Sequence, residues 1–171
     1  MDINKEELIR IYETLLKKTV HEIKRHFDKD LVSVVLYGSL ARGEVRKDSD
    51  IDLLIISESL PKERLKRQDI FIKMENEIDR EIKRIYEKWG LYPYISPILK
   101  TKEEAKNISP LYLDMVTDAR ILYDKDDFFK KILEKLKIKL NSLHAKKIKV
   151  GEKWYWDLKP DYKFGEVISI G

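Results

Sequence analysis

The chain holds 171 residues, of which 39% are charged, with 35 Lys and Arg against 31 Asp and Glu, a net charge of +4 and no cysteine. This length predicts one domain with a real core, the missing thiols exclude disulfides and thiolate metal centres, and no apolar run nears the ~20 residues of a membrane span. The charges are interspersed, so they permit a nucleic-acid partner without arguing for one. The charged start, Met1 to Arg10, predicts no signal peptide and, together with the lack of cysteine, a cytoplasmic location. Abundant Lys and Glu with a single glutamine, Gln68, give a thermophile-like composition.

Residues 4–27 read as an amphipathic helix. Asn4 is placed to cap it, and Glu6 and Glu7 stand at its positive end. Leu8, Ile11, Leu15, Val20, Ile23 and Phe27 recur as its core stripe. His21 and His26 near its end complement the helix dipole and are not read as metal ligands. A valine-rich strand follows, Leu31 to Tyr37, closed by Gly38-Ser39. Leu40 and Ala41 are expected to start a short helix that Gly43 ends, and Glu44, Arg46, Lys47 and Asp48 line a solvated loop. A second apolar run begins at Ile51, with Asp50 and Asp52 at its mouth.

That mouth is where the chemistry gathers. Residues two apart in a strand share a face, so Asp50 and Asp52 project side by side while Ile51, Leu53 and Ile55 point the other way. Two carboxylates this close raise each other's affinity for protons. A divalent cation relieves the conflict, and a hard cation such as Mg²⁺ or Mn²⁺ prefers such oxygen ligands. The glycine turn supplies the complement, since its backbone N–H groups can form an anion-binding concavity. Ser39 adds a hydroxyl and Arg42 a planar, multi-donor cation. No Gly-Lys-Ser/Thr follows the glycine, so this is not a Walker P-loop.

Beyond it, Pro61 suits the first turn of a long helix over 62–89. Phe71, Met74, Ile78, Ile82, Ile85 and Trp89 form its stripe, and Gly90 stops it. Leu91 to Leu99 reads as a third strand, and Pro93 and Pro97 confine it to an edge or interrupt it. Thr101 and Glu104 form a capping box for a short helix ending near Asn107. Ser109-Pro110 opens another helix, cap and then proline. Ala119 to Tyr123 suits a fourth strand, and Asp126 then caps a helix running to about His144. The tail over 145–171 suggests a hairpin, with Lys147 to Val150, a Gly151-Glu152 turn and then Trp154-Tyr155-Trp156. Those aromatics are expected to pack on the domain or on a second subunit, ahead of stacking on a base.

Gly38-Ser39, Arg42-Gly43 and Ser49-Asp50-Ile51-Asp52-Leu53, in that order and spacing, resemble the signature of the DNA polymerase beta-type nucleotidyltransferase superfamily. The nearest likeness is to its small stand-alone prokaryotic members, archaeal-like ones included. The resemblance implies transfer of a nucleoside monophosphate, AMP in the first instance, from ATP to an acceptor hydroxyl, with release of pyrophosphate. It implies Asp50 and Asp52 as catalytic residues and ligands of Mg²⁺ or Mn²⁺. It implies Gly38, Ser39 and Arg42 as the phosphate-binding set. A protein, a small molecule or RNA could be the acceptor. A homodimer and a pairing with a helical toxin-like protein are both open. In that superfamily a third carboxylate usually comes from the strand after the paired aspartates. Here that strand offers Tyr94 and Ser96, leaving Glu58, Asp114 or Asp118 to stand in. This departure supports the alternative of a catalytically inactive nucleotide-binding or antitoxin-like module. The fold expected is α/β, of the α+β kind. It is a small mixed sheet with the first and long helices on one face, over residues 1–125. A C-terminal helix and extended tail, 126–171, are appended to the same domain.

Overall fold

Branched and apolar residues over 31–37 and 51–56 have nowhere to hide but the middle of a sheet, and they form its two central strands. The structure, a computed structural model, describes residues 3–151 and 153–170. Strand β1 (Leu31–Tyr37) pairs antiparallel with β2 (Asp50–Ser57), in a register that runs from Leu31 opposite Ser57 to Tyr37 opposite Asp52. Strand β3 (Tyr94–Thr101) lies parallel to β2, and β4 (Arg120–Asp124) lies antiparallel to β1. The order β3-β2-β1-β4 makes a four-stranded mixed sheet with β3 at one edge. The prolines fit that edge: Pro93 falls just ahead of β3, and Pro97 sits in it opposite Leu53.

Because β1 and β2 are buried on both faces, they read as nearly continuous apolar runs. On one face Val34, Leu36, Ile51, Leu53 and Ile55 pack against α1 (Lys5–Phe27) and α3 (Arg64–Trp89). Their helical stripes, Leu8, Tyr12, Leu15 and Ile23 with Phe71, Met74, Ile78, Ile82 and Ile85, close that layer. Each such side chain stabilises the fold by roughly 1.5–3 kcal/mol relative to exposure. Lys18 and Glu81 add an ion pair between the two helices. The other face carries Val32, Val35, Leu54 and Ile56. It is covered by Tyr112, Leu113 and Met115 of α5 (Pro110–Asp118) and by Phe129, Leu136 and Leu140 of α6 (Phe128–Ser142). The mixed α/β sheet is thus the expected one, with α1 and the long helix sharing a face. A second helical layer brings α6 into one core with β1 and β2.

Local signals explain most boundaries. Asn4 Oδ1 accepts from the Glu7 amide at 2.9 Å, and Gly90, at φ 66°, closes α3 by donating to the Tyr86 carbonyl at 2.8 Å. The capping box of α4 (Lys102–Lys106) is present in both directions. Four details differ from the sequence reading. A short turn of helix, α2, begins at Gly38 and ends at Ala41. Pro61 lies ahead of α3, where its carbonyl accepts from Arg67 Nε at 2.6 Å. Ser109 precedes Pro110 as expected, but its buried hydroxyl makes no capping bond. Asp124, and not Asp126, satisfies the start of α6: its carboxylate accepts from the amides of Phe129 and Lys130, both at 3.0 Å, and from the Ser33 hydroxyl at 2.6 Å. Asp126 is at φ 57°, in the turn before the helix. The tail forms the expected hairpin, β5 (Lys146–Val150) and β6 (Lys153–Asp157). Of the turn between them, Glu152 lies outside the described residues, as do Met1 and Asp2 of the charged start.

One ion pair ties α3 to the capping box. Arg67 grips Glu104 with both terminal nitrogens, at 2.7 and 2.8 Å, and Oε2 of the same carboxylate also accepts from the Thr101 amide at 2.9 Å. The Arg67 bond first, and the Thr101 amide after it, lower the Glu104 carboxyl to about 2. An acid lowered in this way stabilises the fold above its ordinary value of 4.5, and the contribution is lost as pH falls towards about 2. Glu104 is about half exposed, though Arg67 is largely buried, so the pair is partly screened and Glu104→Ala is expected to cost about 1–2 kcal/mol at neutral pH. Urea melts at pH 7 and pH 2 check it: the difference between parent and variant should shrink at the lower pH, and an undiminished difference would contradict the assignment.

Candidate functional site

The antiparallel pairing that sets Tyr37 opposite Asp52 also sets the glycine after Tyr37 against that acid. Gly38 has φ 76°, and a Cβ built on it would stand 2.1 Å from Asp52 Oδ2. Only glycine serves there, for conformation and for space. The short helix Gly38–Ala41 then turns the chain over the end of β2, and a helix start leaves its first amides without partners inside it. The Glu44 amide folds back to the Ser39 carbonyl at 2.9 Å, and Gly43, at φ 70°, completes the bend.

Asp50 and Asp52 lie on one face of β2, as the alternation requires, while Ile51 is fully buried on the other. Neither acid forms an ion pair among the described residues. Burial pushes the Asp52 carboxyl above the usual carboxylate range, and the Asp50 charge pushes it the same way; a hydrogen bond from the Ser96 hydroxyl and the Arg42 charge pull it back. Burial also raises the phenol of Tyr37 to about 12, with Asp52 adding to it. The loop into Asp50 is pinned from below. Tyr12, buried on α1, donates its hydroxyl to the Ser49 carbonyl at 2.9 Å and lies 3.3 Å from that of Lys47. Burial, and then the charges of Asp50 and Asp48, raise Tyr12 to about 12, so it remains a neutral donor at physiological pH.

Gly38, Ser39, Asp50 and Asp52 therefore meet at one corner, and Arg42 lies close enough for its charge to act on Asp52. Arg42 Nε donates to Glu44 Oε2 at 2.7 Å. Two carboxylates, a neighbouring serine hydroxyl and no paired cation make an all-oxygen donor set, which fits a hard divalent ion. No third acid joins them: among the described residues no group of three His, Asp or Glu is arranged to hold a metal. The register places Ser96 opposite Asp52 on β3 and Tyr94 opposite Asp50. Glu58 sits past the far end of β2, bonded to Lys102 at 2.9 Å. Asp114 and Asp118 on α5 are taken up by Trp154, Trp156 and Lys147 of the hairpin.

Sequence reasoning missed Tyr12, and it expected Trp154 to pack on the domain without placing it beside Arg42. Tyr12 stands four residues after Leu8 on the buried stripe, so its position was readable even though its bond to the Asp50 loop was not. Trp154 reaches the site from 112 positions away in sequence, at 4.7 Å between its ring centre and Arg42 Cζ. No local pattern signals such a contact.

Comparison with known proteins bears on this corner. The profile of a family described as nucleotidyltransferase domain matches residues 16–169. A protein of Methanocaldococcus jannaschii, provisionally named a protein adenylyltransferase, is 35% identical over 130 residues, covering 75% of this chain and 82% of that protein. Among solved structures, spectinomycin adenyltransferase of Enterococcus faecialis with ATP and spectinomycin aligns with a TM-score of 0.49 and 17% identity, over 78% of this chain and 66% of that one. A MntA-HpeT toxin–antitoxin structure aligns with a TM-score of 0.47 and 15% identity, over 75% and 91%. Both scores fall below 0.5, so the sequence matches carry the relationship.

The close approach of Gly38 to Asp52 is directly testable. Gly38→Ala must move Asp52 or the turn and also hold alanine at positive φ, an expected cost of about 1–3 kcal/mol. Thermal melts with and without Mg²⁺ and ATP check it: the variant should melt lower and lose the ligand-induced rise. A parent-like melt with a full ligand shift would contradict the geometry.

Proposed function

The chain belongs to the nucleotidyltransferase domain family, and from that premise we propose that it transfers AMP from ATP to a hydroxyl of an acceptor protein, releasing pyrophosphate. The observation that carries the proposal is the paired carboxylates of Asp50 and Asp52 set against a glycine turn that a side chain would block. The protein acceptor draws support from the name of the Methanocaldococcus relative, 35% identical over most of both chains.

Each residue has a part in such a transfer. Asp50 and Asp52 would hold Mg²⁺ or Mn²⁺, which when bound supplies positive charge to the phosphate oxygens. The amides at the start of α2 and the Ser39 hydroxyl bind the β- and γ-phosphates. Arg42 offsets the charge that builds on the departing pyrophosphate. The acceptor hydroxyl gives up its proton to water, its oxygen attacks the α-phosphorus in line, the bond to the bridging oxygen breaks, and pyrophosphate leaves with the electron pair. Tyr12 keeps the loop before Asp50 in place, so the two acids do not drift apart.

A second reading, nucleotide binding without turnover, is favoured by one observation: Ser96 stands opposite Asp52 where an acid would complete a three-carboxylate site. Incubation with Mg²⁺, ATP labelled at the α-phosphate and an extract of the cell's own proteins separates the two. The proposal expects labelled protein together with released pyrophosphate. Label confined to RNA or small molecules would overturn the acceptor class, and binding without pyrophosphate would favour the second reading.

The raised carboxyl of Asp52 gives a further expectation. Its ionised form costs the fold stability above its raised pKa, and a neutral amide removes that cost. Asp52→Asn is expected to abolish transfer with a melting temperature no lower than the parent's. A parent-like rate of pyrophosphate release in the same assay would remove Asp52 from the mechanism.

A further inference from the structure

The C-terminal hairpin does more than cover apolar surface. Trp154 of β6 lays its ring over the Arg42 guanidinium at 4.7 Å, and Lys147 of β5 lies over the same ring at 4.8 Å. The ring cannot swing freely, because its Nε1–H donates to Asp114 Oδ1 at 3.0 Å. The Trp156 indole donates to that same oxygen at 3.2 Å. Lys147 fastens the hairpin to α5 a second time, reaching Asp118 at 2.8 Å and Asp114 at 3.5 Å. Two cations on one ring repel each other, and the carboxylates of Asp114, Asp118 and Glu44 around them offset that repulsion.

The consequence falls on Arg42. It sits in a short bend between α2 and a solvated loop, where an arginine would ordinarily sample many rotamers. Here its guanidinium lies over the Trp154 ring and its Nε is held by Glu44 at 2.7 Å. Its side chain is only 23% exposed. A guanidinium carries five N–H donors, so the bond to Glu44 leaves the four on the terminal nitrogens. These have no partner among the described residues. A planar fork held at its base and against a ring, with both terminal nitrogens unpaired, is pre-organised for a phosphate.

We propose that Trp154 is a positioning residue for Arg42, so that the β5–β6 hairpin, anchored through Asp114, completes the phosphate subsite beside the Gly38 turn. The proposal rests on the phosphate role given to Arg42 above, and the test separates the two.

Dissociation constants for ATP in excess Mg²⁺ are measured by calorimetry on the full chain, for the parent, Arg42→Ala, Trp154→Ala, Trp154→Phe and the double variant Arg42→Ala/Trp154→Ala. Arg42→Ala and Trp154→Ala are each expected to weaken binding about tenfold. Trp154→Phe, which keeps a ring face but loses the Nε1–H bond to Asp114, is expected to recover part of that loss. The double variant is expected to bind no worse than Arg42→Ala alone, because Trp154 acts through Arg42. Trp154→Leu fills the same space without a ring face and replaces Trp154→Ala should the latter fail to fold. Parent-like binding by the Trp154 variants, no recovery with Trp154→Phe, or losses that simply multiply in the double variant would each overturn the positioning role. If Arg42→Ala itself binds ATP like the parent, the phosphate role of Arg42 falls and this inference falls with it. If Arg42→Ala weakens binding and the Trp154 variants do not, only the inference falls.

Discussion

Two carboxylates held on the same face of one strand repel each other, and the surrounding structure is arranged to keep them there. Asp50 and Asp52 cannot turn apart, because Ile51 between them is buried without exposure and β2 is paired on both sides. The Arg42 charge relieves Asp52 only in part, since Asp52 has no direct ion-pair partner among the described residues. Burial and the Asp50 charge both act against its ionisation. Such a site stores an unfavourable interaction that a bound cation would release.

The fold supplies the means. A sheet packed on both faces fixes β2, with α1 and α3 on one side and α5 and α6 on the other. The antiparallel register of β1 then delivers a glycine, and only a glycine, against Asp52. Tyr12 holds the entering loop from the α1 side. The hairpin approaches from the other side and meets Arg42. Elements from both ends of the chain thus converge on a corner that the central strands alone would leave open.

The parts legible in the sequence were those written in short-range patterns. The apolar runs gave the strands, their prolines gave the edge position of β3, and the period of two placed both acids on one face. The capping box and the Gly90 stop were equally local. Missed features depend on contacts distant in sequence. Asp124 caps α6 where the β1–β4 register sets it opposite Ser33, whose hydroxyl donates to it, and the nearer Asp126 is passed over. The indole anchors on Asp114 link residues 40 and 42 positions apart, and nothing in either segment announces the other. The substitution of Ser96 for an acid was visible in the sequence, but its placement opposite Asp52 needed the parallel register.

The most direct test of the paired-acid corner is a crystal structure with Mn²⁺ and a non-hydrolysable ATP analogue, using the anomalous signal of manganese to locate the metal. The account predicts a manganese peak bridging Asp50 and Asp52, with the triphosphate against the Gly38-Ser39 turn and Arg42. A triphosphate bound elsewhere, or manganese absent from between those two acids at saturating concentration, would contradict it.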